Sequence, residues 1–234
     1  MIDKSAIRNA ATIIVLRDRA TAPKVLMGQR GAKAVFMPSM FVFPGGAMDK
    51  GDADVPLAGP LPDLCATRIA EGCEDDLSHA LSVAAIRELW EETGQILGTK
   101  ADWPGTPAED WTEFAATGHI PDATNLQFVF RAITPPGRPR RFDARFFLTD
   151  AETLQTDPDD FSRAQDELSL LQWIPLEQVR EFDLPFITEV VLAEVAQRAA
   201  DPTPPESVPF FSNNDENRAF TRLKGMIRRG ERAD

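Results

Sequence analysis

No tyrosine occurs among the 234 residues of this chain, and it has only two cysteines and two histidines. Without tyrosine, aromatic stacking on a ligand falls to Phe, Trp or the guanidinium of Arg. The cysteines, Cys65 and Cys73, have no histidine pair beside them, which argues against a zinc site. Two free, partly buried thiols in a reducing compartment are the expectation. Cations are also in short supply: 25 Lys and Arg stand against 37 Asp and Glu, a net charge of −12. That balance disfavours a nucleic-acid polymer as the main partner, because phosphate backbones need clustered Lys and Arg. A small phosphorylated substrate needs only a few local cations and stays open. Long apolar runs are missing too. The longest aliphatic stretch near the start, residues 10–16, falls far short of the roughly 20 residues that span a bilayer. Asp3, with no cleavage-site pattern after it, does not suit a signal peptide. A cytoplasmic protein without membrane contact is expected. With 43% hydrophobic residues, the chain can bury one sizeable core, and a single domain over residues 1–234 is expected.

What is present is patterned. Residues 11–16 and 24–29 read as a strand and its hairpin partner. Residues 41–43 form a short strand that Pro44-Gly45-Gly46 must break. Residues 49–77, with their Asp, Gly and Pro, read as an insertion or long loop with one helical turn; its core, 53–77, is functional or disordered by length. A strong helix spans 78–93. Ser78 or Asp76 can cap it, Leu77, Leu81, Ala84, Ala85, Leu89 and Trp90 make its apolar stripe, and Gly94 ends it. Residues 124–133 and 141–148 suit antiparallel strands, and 169–174 another strand. A short helix from 175 to 181 and a longer one over 185–200 begin a helical C-terminal part, 175–234. Within it, residues 201–217 are proline-rich and polar, and a basic tail from Arg218 frays. The order of strands, one special helix, strands and then helices indicates an α/β sandwich around a mixed sheet.

The chemistry concentrates in Arg87-Glu88-Leu89-Trp90-Glu91-Glu92-Thr93-Gly94. Residues three and four apart share a helix face, so Glu88 lies beside Glu91 and Glu92, and the like charges repel. Compensation can come from Arg87 or from a hard divalent cation that takes oxygen ligands. The alternative is an ordinary solvated acidic face. Two features weigh against it. Ile86, Leu89 and Trp90 are apolar, so the helix is packed and the acidic face is aimed. Upstream, Phe43-Pro44-Gly45-Gly46 ends a strand in glycines, which let a backbone approach a cation or phosphate closely.

These two segments resemble the Nudix box, a glycine and a spaced glutamate followed by Arg-Glu-aliphatic-x-Glu-Glu-x-Gly-aliphatic. Gly46, Arg87, Glu88, Leu89, Glu91, Glu92 and Gly94 match. Polar Gln95 stands where an aliphatic residue belongs, with Ile96 next. Asp52 stands in place of the first glutamate, and 34 residues separate it from Arg87, far more than in the pattern. No role is assigned to Asp52. The resemblance, covering about residues 8–182, implies the Nudix α/β/α sandwich, with an insertion before the Nudix helix and C-terminal helices. It implies Mg2+ or Mn2+ bound by Glu88, Glu91, Glu92 and the Gly46 carbonyl, with Arg87 holding a glutamate in place. It also implies a pyrophosphohydrolase, in which an activated water attacks one phosphorus of a nucleoside diphosphate linked to another moiety.

Two carboxylates are candidate bases for that water, Glu88 and Glu167; the bland reading of Glu167 is a surface loop residue. Residues 36–38, 41–46, the insertion and residues 141–147 resemble the branch that includes peroxisomal coenzyme A diphosphatases. Coenzyme A or an acyl-CoA is the substrate this implies. Arg30 and Arg145 are candidates for phosphate contacts, and Phe36 and Phe142 either stack on a base or pack in the core. Homodimers are frequent in the family, and the insertion can serve as an interface or a substrate lid. One rival is a non-catalytic Nudix-fold metabolite sensor, a kind of protein that usually loses box carboxylates. The other is an unrelated acidic interaction helix, which would tolerate Glu92→Gln.

Overall fold

Ile13, Ile14, Val15 and Leu16 are consecutive and all fully buried. A strand achieves that only when both faces of its sheet are covered, because neighbouring side chains point to opposite sides. The computed structural model, which describes residues 6–34, 37–73, 76–165, 167–213 and 218–225, shows two layers of cover. In chain order the elements are β1 (Ile7–Arg17), β2 (Lys24–Arg30), β3 (Phe41–Val42), β4 (Gly45–Ala47), α1 (Asp63–Ala70), α2 (Ser78–Thr93), β5 (Gly98–Lys100) and α3 (Thr112–Ala116). After these come β6 (His119–Pro121), β7 (Gln127–Ile133), β8 (Arg141–Asp150), β9 (Leu168–Pro175), α4 (Phe186–Arg198), β10 (Val208–Asn213) and β11 (Arg218–Leu223).

The main sheet runs β11-β10-β7-β8-β1-β2-β3, with β4 also paired to β1 and β9 to β2. β1 and β8 are parallel from Ile7↔Arg141 to Leu16↔Asp150, and β10 is parallel to β7. The other pairs are antiparallel, so the sheet is mixed. Ala11, Ile13 and Val15 face a core filled by Ile69 of α1 and by Leu81, Ala85 and Leu89 of α2. Ile14 and Leu16 face a second core filled by Val191, Leu192 and Val195 of α4. The period-2 alternation of β1 thus divides between the two layers of an α/β/α sandwich.

α2 is held for local reasons as well. The Asp76 carboxylate accepts from the Ser78 backbone N–H at 3.0 Å and its hydroxyl at 2.6 Å, which satisfies a free donor of the first turn. Gly94 adopts φ 71° and donates its N–H to the Trp90 carbonyl, a left-handed stop that glycine accepts without strain. Between these ends only His79 and Glu91 are not buried. Both cysteines are free thiols. Among the described residues no helix is long and apolar enough to cross a membrane.

Several expectations need correction. The insertion is folded: a 3-10 turn at Lys50–Asp54 leads to α1, which Pro62 starts in the position where a missing N–H costs nothing. The strand at 41–43 does break as expected, β3 ending at Val42, and the chain resumes at Gly45–Ala47 as β4, paired with β1. Residues 175–181 hold only a 3-10 turn, Val179–Glu181. The C-terminal part, 175–234, is not helical throughout. After α4, β10 extends the sheet beside β7 and β11 closes on β10 in a hairpin. Val208, at the start of β10, is fully buried and supplies part of the driving force that the prolines conceal.

Candidate functional site

The last turns of α2 carry Arg87, Glu88, Glu91 and Glu92, and β4 lies against them. Glu92 is 2% exposed, and its Oε2 accepts the Gly45 N–H at 2.8 Å. Gly46 sits so close to Glu88 that a Cβ there would run into the carboxylate. Both glycines therefore do steric work: Gly45, at φ 159° with Thr12 and Ala11 closing on it, and Gly46, by admitting Glu88.

Arg87 binds the cluster together. Its guanidinium donates from Nε and Nη2 to Asp52 at 3.0 and 3.2 Å, a bidentate pair. Nη1 reaches Glu88 at 2.9 Å and Glu91 at 3.1 Å, and Nη2 also reaches the Ala47 carbonyl at 3.0 Å. Burial works against its charge, but the bond to Asp52 and the charges of Glu88, Asp52 and Glu91 outweigh it and hold Arg87 firmly protonated.

Asp52 is the residue sequence reasoning set aside. It is 2% exposed, and its Oδ2 also accepts the Asp49 N–H at 2.8 Å. The insertion separates Asp52 from Arg87 in sequence and returns the chain so that they meet. The available signal was its position: an acid at the box glutamate's distance from Gly46.

One cation serves too many carboxylates. Burial pushes the Glu88 carboxyl up to about 7, against the pull of Arg87 and with a push from Glu91 and Glu167. Glu91 is raised by burial, again against Arg87, with Asp110 and Asp52 adding to the rise. Glu92 is raised well above its ordinary value by burial and by Glu88, and the Gly45 N–H opposes this only in part. Among the described residues no three acidic side chains converge as a ready-made cage. Glu88 and Glu91 turn to Arg87, and Glu92 turns to Gly45. The donor set nevertheless suits a hard divalent cation: carboxylate oxygens, crowded and desolvated, with their negative charge only partly matched.

Arg30 and Glu167 join the cluster's edge. Arg30 Nη2 meets Glu167 Oε1 at 2.8 Å, and the Glu167 side chain is 58% exposed. The Glu167 charge reaches both Glu88 and Glu92, and the Arg30 charge reaches Glu92.

Arg145 does not join the cluster. Its side chain is 1% exposed and bonds Asn9 Oδ1 at 2.7 Å, the Asp143 carbonyl at 2.8 Å and Cys73 Sγ at 3.4 Å. A guanidinium so enclosed does not meet a phosphate from solvent, and the expected contact is withdrawn. Phe142 lies within β8 opposite Arg8 of β1. Phe36 lies outside the described residues.

No family model matches the chain. A Caenorhabditis elegans protein bearing the name nudix hydrolase 7 is 33% identical over 190 residues. The match covers 76% of this chain and 55% of that protein, so the chain spans about half the length of this curated relative. The crystal structure of a Nudix hydrolase from Alicyclobacillus acidocaldarius superimposes with a TM-score of 0.60 at 29% identity. That match covers 83% of this chain and 93% of the other.

Proposed function

We propose that this chain, a member of the Nudix hydrolase superfamily by sequence and fold, is an enzyme that hydrolyses a diphosphate linkage with the help of a divalent cation. The observation that carries the reading is the buried Arg87 node. It gathers Asp52, Glu88 and Glu91 under the diglycine strand, beside Glu92, and leaves negative charge uncompensated at an accessible edge.

Glu88, Glu91, Glu92 and the Gly46 carbonyl would hold the cation, Mg2+ or Mn2+. Such an ion neutralises phosphate oxygens and makes a nearby water more acidic. The protein's own groups then divide the work. Asp52 and Arg87 keep Glu88 and Glu91 within reach of one another. Gly45 fixes Glu92. Arg30, at the rim, suits a phosphate oxygen of the substrate, and the exposed Glu167 beside it suits the proton of the attacking water. Glu88 is the second candidate for that proton.

The substrate in this reading is a nucleoside diphosphate linked to another moiety, with coenzyme A or an acyl-CoA as the specific candidate. The support for coenzyme A is the sequence resemblance of residues 41–46, the folded insertion and β8. The test is phosphate release from coenzyme A, NADH, ADP-ribose and dinucleoside polyphosphates, with magnesium, manganese or chelator. Turnover that needs a cation and falls with Glu91→Gln or Glu92→Gln upholds the reading. Unchanged rates in both variants refute it.

A further inference from the structure

Gln95 replaces an aliphatic residue of the box, yet it is fully buried. A buried amide carries two donor hydrogens and an acceptor oxygen that all need partners. Here they have them. Nε2 donates to the Asp157 carbonyl at 3.1 Å and to the Asp160 carbonyl at 2.9 Å. Oε1 accepts from the Thr156 hydroxyl at 2.6 Å, and that hydroxyl accepts the Ile96 N–H at 3.2 Å. One side chain thus closes the loop that follows β8 onto the end of α2.

Other contacts follow the same seam. The Gln155 N–H reaches the Ile96 carbonyl at 2.8 Å, and the Gln165 N–H reaches the Glu91 carbonyl at 2.9 Å. Arg163 lies directly over Gly94, where any Cβ would meet its Cβ at 2.8 Å. Beyond Gln165 the chain has little slack. Leu168 is buried and pairs in register with Arg30, so only Asp166 and Glu167 intervene.

We propose that Gln95 is a positioning residue: by clamping residues 156–165 to the helix that carries Glu88, Glu91 and Glu92, it sets Glu167 at the edge of the cluster. The aliphatic residue of the box pattern can fill the same space but cannot tie the loop. The assignment rests on the reading above, in which Glu167 takes a proton from water.

Gln95→Met keeps the length and burial of the side chain and removes its hydrogen bonds, so the variant folds. In the metal-free protein, amide hydrogen exchange over residues 156–165 should speed up about tenfold. In the loaded enzyme kcat should fall about tenfold with KM nearly constant, because a base shifted from its place costs rate rather than binding. In a Glu167→Gln background the same change should cost nothing further, since both act through one group. Unchanged exchange overturns the clamp. An equal loss of kcat in both backgrounds overturns the positioning of Glu167. If the parent protein hydrolyses no diphosphate, the hydrolase reading fails on its own account and takes the catalytic role of Gln95 with it. The exchange measurement still decides the clamp.

Discussion

Among the described residues, two buried arginine–carboxylate clusters lie in this sheet and its α2 layer, and they are charged in opposite senses. At α2, the single Arg87 faces Asp52, Glu88 and Glu91, with Glu92 beside them. Where β7 and β8 pair, Asp143 faces two arginines, Arg131 at 2.7 Å and Arg145 at 3.1 Å. The second cluster gives most of its surplus donors to neutral acceptors, the Glu71 carbonyl, Asn9 and the Asp143 backbone, and leaves the buried Arg145 Nε without a partner. It is closed to solvent. The first cluster has only two backbone donors, the Gly45 N–H to Glu92 and the Asp49 N–H to Asp52, and its glutamates answer by holding protons more tightly. Composition alone does not separate a structural ion pair from a functional one. The sign of the surplus, and its access to solvent, do.

An acid-to-amide change at each cluster tests that distinction. Glu92→Gln should lower turnover by about a hundredfold to a thousandfold, because an anionic ligand of the charge-stabilising cation is lost. Its thermal stability in chelator should hold or rise, because a repelling buried carboxylate is gone. A fall in both quantities would make Glu92 a structural residue like Asp143. Asp143→Asn should do the reverse. Two buried guanidinium groups lose their counter-charge, so denaturant unfolding should show a loss of about 3–5 kcal/mol. The kcat of the folded fraction should stay within about twofold.

The smallest effect is on pH. The Glu88 carboxyl stands at about 7 in the folded protein against 4.5 ordinarily. A raised carboxyl favours the folded state while protonated. Its contribution is complete below about pH 4.5 and is lost as pH rises to about 7, a change of at most about 3 kcal/mol. Melting of the metal-free protein should therefore move to lower temperature across that window. Glu88→Gln should flatten the slope, and added Mn2+ should restore stability most at the alkaline end. A metal-free protein whose melting temperature is flat over the window would show that Arg87 already balances the charge.

Much of this was legible in the residues. The stripe of α2, with Asp76 before it and Gly94 after it, determines that helix to the residue. The β-branched run of β1 marks the central strand. Three features were hidden for physical reasons. β10 lies in a stretch whose prolines and polar residues read as loop and β11 in a basic tail that reads as frayed; only the pairing of β10 with β7, and of β11 with β10, makes them strands. Asp52 is remote from Arg87 in sequence, and side chains meet through space. Gln95 reads as an imperfect box position because a hydrogen-bond clamp leaves no periodic mark. Arg145 misled in the opposite direction. The sequence resemblance invites a phosphate contact there, but this arginine is locked to Asp143.

The Asp52–Arg87 pair acts as a clasp at the neck of an excursion in the chain. Because the two ends of the excursion are fastened to each other, its length is decoupled from the geometry of the helix it precedes. The entropic cost of closing such a loop grows only with the logarithm of its length. Lengthening it between the clasp and α1 should leave the carboxylates where they are. Shortening it should meet its limit at Ile69, which the first core needs. A lineage that keeps the clasp is free to remodel whatever hangs from it, and to refit the rim of the site for new ligands without rebuilding its floor.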